Sequence, residues 1–116
     1  LAYSPLGFGV LSGKYLNNKK PKNSRLVLFP NFKRYSSPQS IAATERYSKL
    51  ASDFGISTTQ MALSFVNDRS FVCSNIIGAT NMNQLKENIN SFKISLSKSI
   101  LNEIEKIHNE IPDPAP

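Results

Sequence analysis

The chain has 116 residues and a formal charge of +6 from 14 Lys/Arg and 8 Asp/Glu. That length suits one small domain, and no run reaches the roughly 18 apolar residues a membrane span needs. A single cysteine, Cys73, excludes an internal disulfide framework and a Cys-rich zinc site, and the chain has no signal-peptide pattern. The expectation is a reduced, cytoplasmic globular protein with no membrane association and no metal. The first residue is Leu1, not Met, so the reading expects a chain that begins inside a larger protein.

The charge is uneven. Residues 1–50 carry nine basic residues against Glu45 alone, a balance of 9 − 1 = +8. Residues 51–116 carry five against seven, a balance of 5 − 7 = −2. The excess gathers in Lys14, Lys19, Lys20, Lys22, Arg25, Lys33 and Arg34, with no acid between them. Such a run attracts anions: nucleic acid, an acidic membrane surface, or the phosphates of a cofactor. It is equally the composition of a solvated loop. Tyr15, Phe29, Phe32 and Tyr35 interleave it, in no known nucleic-acid motif.

In chain order, Leu1–Ser4 reads as the end of a strand stopped by Pro5. Residues 5–37 read as a long loop with one helical turn near Val10–Tyr15. A loop of this length in a compact domain is functional or disordered. Ser37 then caps a helix that has Pro38 at its first position and an apolar recurrence of Ala43, Tyr47, Leu50 and Phe54, closed by Gly55. Ser57 and Gln60 form a capping box, stapled by Ile56 and Met61, for a helix whose apolar positions are Met61, Ala62, Phe65 and Val66. Phe71–Gly78 is the one good strand, with Cys73 as a small core residue. Asn81 and Gln84 open the next helix, and Met82, Leu85, Ile89 and Phe92 are its expected buried stripe. Ser97 caps the last helix, which is stapled by Leu96 and Leu101, striped by Ile100, Ile104, Ile107 and Ile111, and stopped by Pro112.

Two strands separated by helices are expected to be parallel neighbours. A parallel sheet must be covered on both faces, and two strands cannot make one. The inventory therefore reads as part of a larger α/β array.

Two glycine-rich patterns fail as phosphate motifs. Gly7-Phe8-Gly9-Val10-Leu11-Ser12 has Ser where a dinucleotide fingerprint needs its third Gly. Gly9–Tyr15 is one residue short of a P-loop and lacks the hydroxyl residue after Lys14. His108 has no second ligand nearby and reads as a surface residue. The junction Gly78-Ala79-Thr80 is different. It sets backbone N–H groups at a helix N-terminus directly after a strand, where the helix dipole favours an anion. An ordinary helix entry capped by Thr80 or Asn81 would share this sequence.

The segment Tyr3-Ser4-Pro5-Leu6-Gly7-Phe8-Gly9-Val10-Leu11-Ser12-Gly13-Lys14-Tyr15 resembles the stretch after the seventh barrel strand of aldo-keto reductases. Ile76-Ile77-Gly78-Ala79-Thr80, followed by Gln84-Leu85-Lys86-Glu87-Asn88, resembles that family's eighth strand and cofactor-binding helix. The resemblance implies an α/β fold: residues 1–116 as the C-terminal part of a (β/α)₈ barrel, truncated on its N-terminal side. It holds strands seven and eight with their helices and the C-terminal helix. The remaining barrel strands are expected to be needed for folding.

The resemblance also implies NADP(H) as cofactor and a small-molecule carbonyl substrate, with no nucleic-acid partner. It implies that Tyr3 stacks on the nicotinamide, and that Ser4, Leu6, Gly7 and Lys14 line the pyrophosphate. Ser24 and Arg25 would lie near the adenosine phosphates. Gly78, Thr80 and Gln84 would hold the 2′-phosphate end, and Glu87 and Asn88 would reach the adenine. The family's catalytic Asp, Tyr, Lys and His belong to earlier strands, so no catalytic residue is expected in this chain, which alone should be inactive. The implied activity is reduction of aldehydes or ketones by hydride transfer. An NADP-binding sensor or regulatory subunit without turnover, or a decayed gene fragment, would carry the same residues.

Overall fold

The computed structural model describes all 116 residues. Strand β1 spans Ala2–Tyr3 and β2 spans Asn75–Ile76. They pair in parallel, with Ala2 opposite Asn75 and Tyr3 opposite Ile76. Between them run a short helix α1 (Arg25–Leu28) and the longer helices α2 (Pro38–Asp53) and α3 (Thr58–Asn67). Helices α4 (Met82–Asn90) and α5 (Lys98–Glu110) follow β2.

The helix starts are locally encoded. Ser37, Ser57, Asn81 and Ser97 each accept a hydrogen bond from the backbone N–H three residues on. Such a cap satisfies one of the orphan donors of a first turn and is worth about 1 kcal/mol. Ser57 and Gln60 complete a reciprocal capping box. Gly55 closes α2 at φ 73°, a conformation that a residue with a Cβ adopts only under strain.

The core is helical. Leu50 and Ala51 of α2, Met61 of α3, Leu96, and Ile100, Ile104 and Ile107 of α5 form one buried cluster. Tyr47, Ile56, Phe65, Ile94 and Leu101 pack against it. Burial pushes the Tyr47 phenol up from its ordinary value. The C-terminal tail folds back onto the start of α2, where the Pro114 carbonyl lies 2.8 Å from both Ser37 Oγ and Ser40 Oγ. Arg46 of α2 donates to Glu110 of α5 at 2.5 Å, and that hydrogen bond holds the Glu110 carboxyl below its usual range.

A second tie is polar. Ser64 Oγ donates to the Ser91 carbonyl at 3.0 Å, and Ser91 Oγ donates to the Asn88 carbonyl at 2.6 Å. Asn75 of β2 donates to Asn67 of α3 at 3.1 Å. These bonds tie α3 to the end of α4 and to the strand.

Several expectations are corrected. The strand read over Phe71–Gly78 contracts to Asn75–Ile76, because β1 is the only neighbour it has to pair with. Cys73 precedes that strand and is exposed, not core. On α3, Leu63 and Ser64 are fully buried, while Ala62, Phe65 and Val66 are half-buried. Those three line an open groove of about 450 Å³ with Pro5, Tyr47 and His108. Phe54 is exposed at the end of α2. The stripe of α4 is bare: Met82, Ile89 and Phe92 are exposed, Phe92 by 65%. Tyr3, Phe71 and Ile76 are exposed as well. The long loop holds more order than expected, with single turns at Val10–Ser12 and Leu16–Asn18 in addition to α1.

A sheet of two two-residue strands is too small to be independently stable, and this much bare apolar surface needs a cover. The purified 116-residue chain should therefore show no sharp cooperative thermal transition alone. A steep, reversible melt by circular dichroism would overturn that expectation.

Candidate functional site

The parallel register makes both strand-end loops leave the same end of the sheet. The loop after β1 begins at Ser4 and the loop after β2 at Ile77. In doubly covered α/β folds this end is where ligands bind, and in barrels the last two such loops often form a phosphate site.

The first loop is a series of tight left-handed turns. Ser4, Gly7, Phe8 and Gly9 have φ of 52°, 51°, 57° and 88°. Gly7 N–H donates to the Ser4 carbonyl at 2.9 Å, and Gly9 N–H to the Leu6 carbonyl at 3.0 Å. A Cβ on Gly9 would lie 2.8 Å from Lys14 Cε and 2.9 Å from Nζ, so the bare Cα lets the lysine fold back over the turn. Lys14 Nζ sits 5.3 Å from the centre of the Tyr15 ring. Arg25 lies 5.2 Å over the Phe8 ring. The three ion pairs of the molecule are Arg46–Glu110, Lys49–Asp53 and Lys106–Glu103, so neither Lys14 nor Arg25 is neutralised by a carboxylate. Beside Arg25, Ser24 is 7% exposed and its Oγ is buried without a hydrogen-bond partner. Glycines around a three-residue turn make neither a dinucleotide fingerprint nor a P-loop, as the spacing implied.

The second loop is built differently. Gln84 Oε1 accepts from Thr80 N–H at 2.9 Å and from Thr80 Oγ1 at 3.0 Å. Asn81 Oδ1 takes the Gln84 N–H. The amides of Met82 and Asn83 stand in the first turn of α4, where no intrahelical acceptor exists. Asn88 is only 2% exposed, and its amide donates to the Gly78 carbonyl at 3.1 Å. Glu87 accepts from Ser57 Oγ at 2.5 Å.

The expected site residues thus fall into two groups. Gly7, Lys14 and Arg25 gather around Phe8 and Tyr15, with Ser24 preceding Arg25. Gly78, Thr80, Gln84 and Asn88 form one hydrogen-bonded unit, and Glu87 is tied to α3. Tyr3, 76% exposed at the end of β1, stands on the face shared with Ile76. Ser4 and Leu6 shape the first turn through their carbonyls. Ser57 was legible only as a cap, and its link to Glu87 spans 30 residues that no local pattern connects. Phe8 stands in the Tyr3–Tyr15 segment, but no local pattern links its ring to Arg25.

A basic loop and an amide-rich loop thus open at one end of a parallel strand pair in an α/β fold. Residues 1–109 match the Aldo/keto reductase family, and the chain belongs to it. It is 49% identical over 116 residues to Protein tas of Escherichia coli, covering 100% of this chain and 34% of that protein. It is 38% identical to an aldo-keto reductase of Babesia bovis, covering 98% of this chain and 42% of that one. It is 32% identical to a probable voltage-gated potassium channel subunit beta of rice, covering 95% and 35%. The glycerol dehydrogenase structure of Gluconobacter oxydans superposes with a TM-score of 0.73 at 27% identity, over 100% of this chain and 35% of that one. The chain therefore spans 34% and 42% of the length of the first two of these and corresponds to the C-terminal third of the barrel.

Completing the barrel makes the site measurable. Leu1–Pro116 joined behind the first two thirds of Protein tas restores the missing strands. In that completed barrel, Asn88→Ala should remove a buried side chain and its bond to the Gly78 carbonyl and cost about 1–3 kcal/mol in urea unfolding. Gln84→Ala, at the loop surface, should stay within about 0.5 kcal/mol. Equal losses in the two variants would show that Asn88 is no anchor of the loop.

Proposed function

We propose that the chain supplies the NADPH-binding part of an oxidoreductase that reduces an aldehyde or ketone. The observation that carries this reading is the pairing of an un-neutralised basic loop with an amide-lined helix start at one end of β1–β2. Three features fit a phosphorylated dinucleotide. Ser24 Oγ is a buried hydroxyl without a partner beside a free guanidinium. Lys14 is held over a glycine turn. The first turn of α4 offers unused N–H groups.

On this reading Ser4, Leu6, Gly7 and Lys14 line the pyrophosphate and Tyr3 presents its exposed ring to the nicotinamide. Ser24 and Arg25 take the adenosine phosphates, and Gly78, Thr80 and Gln84 hold the 2′-phosphate end. Glu87 and Asn88 stand at the adenine. When bound, the reduced nicotinamide supplies a hydride for a carbonyl carbon. The family's proton-donating residues match no position among residues 1–116, so this chain contributes binding and orientation.

A second reading, a cofactor-holding regulatory subunit without turnover, is favoured by the likeness to channel β-subunits. The two separate in a barrel completed by this chain's own preceding strands rather than by those of Protein tas, by whether NADPH absorbance falls when a panel of aldehydes is added. Binding without any carbonyl-dependent loss would select the regulatory reading.

Arg25→Ala and Gln84→Ala should weaken NADPH about 10- to 150-fold while sparing NADH, since one charge-assisted contact is worth roughly 1.5–3 kcal/mol. Tyr3→Ala should weaken both cofactors alike, because a ring on the nicotinamide cannot sense the distant phosphate. Fluorescence titration with both cofactors checks this, and equal losses in the Arg25 and Gln84 variants would refute the 2′-phosphate assignment.

A further inference from the structure

We propose that Phe8 is a positioning residue that sets Arg25 for an adenosine phosphate and thereby governs the choice between NADPH and NADH. The inference rests on the cofactor reading above and goes beyond it by naming what aims the guanidinium.

Arg25 is exposed and has no carboxylate partner. A free arginine on a loop would wander among rotamers, yet this one lies 5.2 Å over the Phe8 ring. The ring itself is fixed. Tyr35 meets it edge-on with centroids 4.9 Å apart and planes at 90°. Phe32 packs at 5.4 Å, and Phe29 stacks on Phe32 at 5.5 Å. The Phe8 backbone is held at φ 57°, a strained conformation for a residue with a bulky side chain. Hydrogen bonds on both sides enforce it, Gly9 N–H to Leu6 and Val10 N–H to Gly7 at 3.0 and 3.1 Å. Such strain persists where the surroundings over-determine it, and here it turns an aromatic face toward the basic loop.

The backbone beside Arg25 is pinned from the same loop. Leu26 N–H donates to Tyr15 Oη at 3.2 Å, across 11 residues. The arginine is thus located at two points, its main chain by Tyr15 and its guanidinium by Phe8.

The chemistry of the hold matters. A carboxylate would orient the guanidinium equally well but cancel its charge and occupy its donors. An aromatic face attracts the cation through its quadrupole and leaves the N–H edge free for a phosphate. Phe8 therefore acts through Arg25, and only a ligand carrying the extra phosphate should sense its loss.

The test uses the full chain in the completed barrel, with NADPH and NADH titrated separately against Phe8→Leu, Phe8→Tyr, Arg25→Ala and the Phe8→Leu/Arg25→Ala double variant. Phe8→Leu should weaken NADPH roughly 2- to 30-fold and leave NADH unchanged. Phe8→Tyr, which keeps the aromatic face, should restore the preference. The double variant should be no worse than Arg25→Ala, because both changes remove one interaction. If Phe8→Leu does not fold, Phe8→Met serves in its place. Equal weakening of both cofactors, or additive losses in the double variant, would overturn the role of Phe8. A retained preference in Phe8→Leu alongside a lost one in Arg25→Ala would overturn it too, leaving the cofactor reading intact. A retained preference in Arg25→Ala would overturn both.

Discussion

The parallel pairing of two two-residue strands decides everything else about this chain. Ala2 opposite Asn75 and Tyr3 opposite Ile76 is a register of only two steps. It nevertheless sends two loops, more than 70 residues apart in sequence, out of the same end. A one-residue slip would turn Asn75 away from α3 and break its bond to Asn67. The register is therefore held by polar chemistry behind the strands rather than by the ladder. Asn75 and Ala2 face the helices, and Tyr3 and Ile76 face the bare side. The face that carries the expected nicotinamide contact is thus the face the missing strands must close around.

The two halves of the chain dispose of charge in opposite ways. Each of the three ion pairs takes its acid from the C-terminal half: Asp53, Glu103 and Glu110. Exposed pairs of this kind contribute little to stability, and none of them draws on a cation of the basic loop. The seven cations between Lys14 and Arg34 keep their charge, and aromatic rings rather than carboxylates locate Lys14, Arg25 and Arg34. Composition gave a solvated loop and an anion site the same credentials. Three of these seven cations lie over aromatic rings, a tertiary fact that composition does not carry.

Local chemistry was legible in the sequence and tertiary context was not. The four Ser/Asn caps, the capping box of Ser57 and Gln60, and the α5 stripe of Ile100, Ile104 and Ile107 all depend on residues within four positions of each other. The α4 stripe obeyed the same periodicity yet stands exposed, because periodicity says which side is apolar and not whether anything covers it. Cys73 failed for the same reason: a strand interior needs neighbours on both edges. On α3 the error was one of direction. Leu63 and Ser64 are the fully buried pair, and Ser64 joins a polar network with Ser91 and Asn88, while Met61 and Phe65 keep the apolar contact to the core. The site split the same way. Gly78, Thr80 and Gln84 were visible as a helix entry, whereas Ser57 on Glu87 and Phe8 under Arg25 exist only once the chain has folded.

The two loops reach one end of the sheet by different physics, and the difference suits their tasks. The second is set by directional hydrogen bonds: Asn88 to the Gly78 carbonyl, Thr80 to Gln84, and the Gln84 N–H to Asn81. Such bonds are directional, so they define the shape of this loop. The first depends on left-handed turns and ring contacts around exposed cations. Ring contacts are broad in angle and tolerate shifts of an ångström, while charge acts over longer range. The cation nearest the buried, unpartnered Ser24 hydroxyl is the one held at both backbone and side chain.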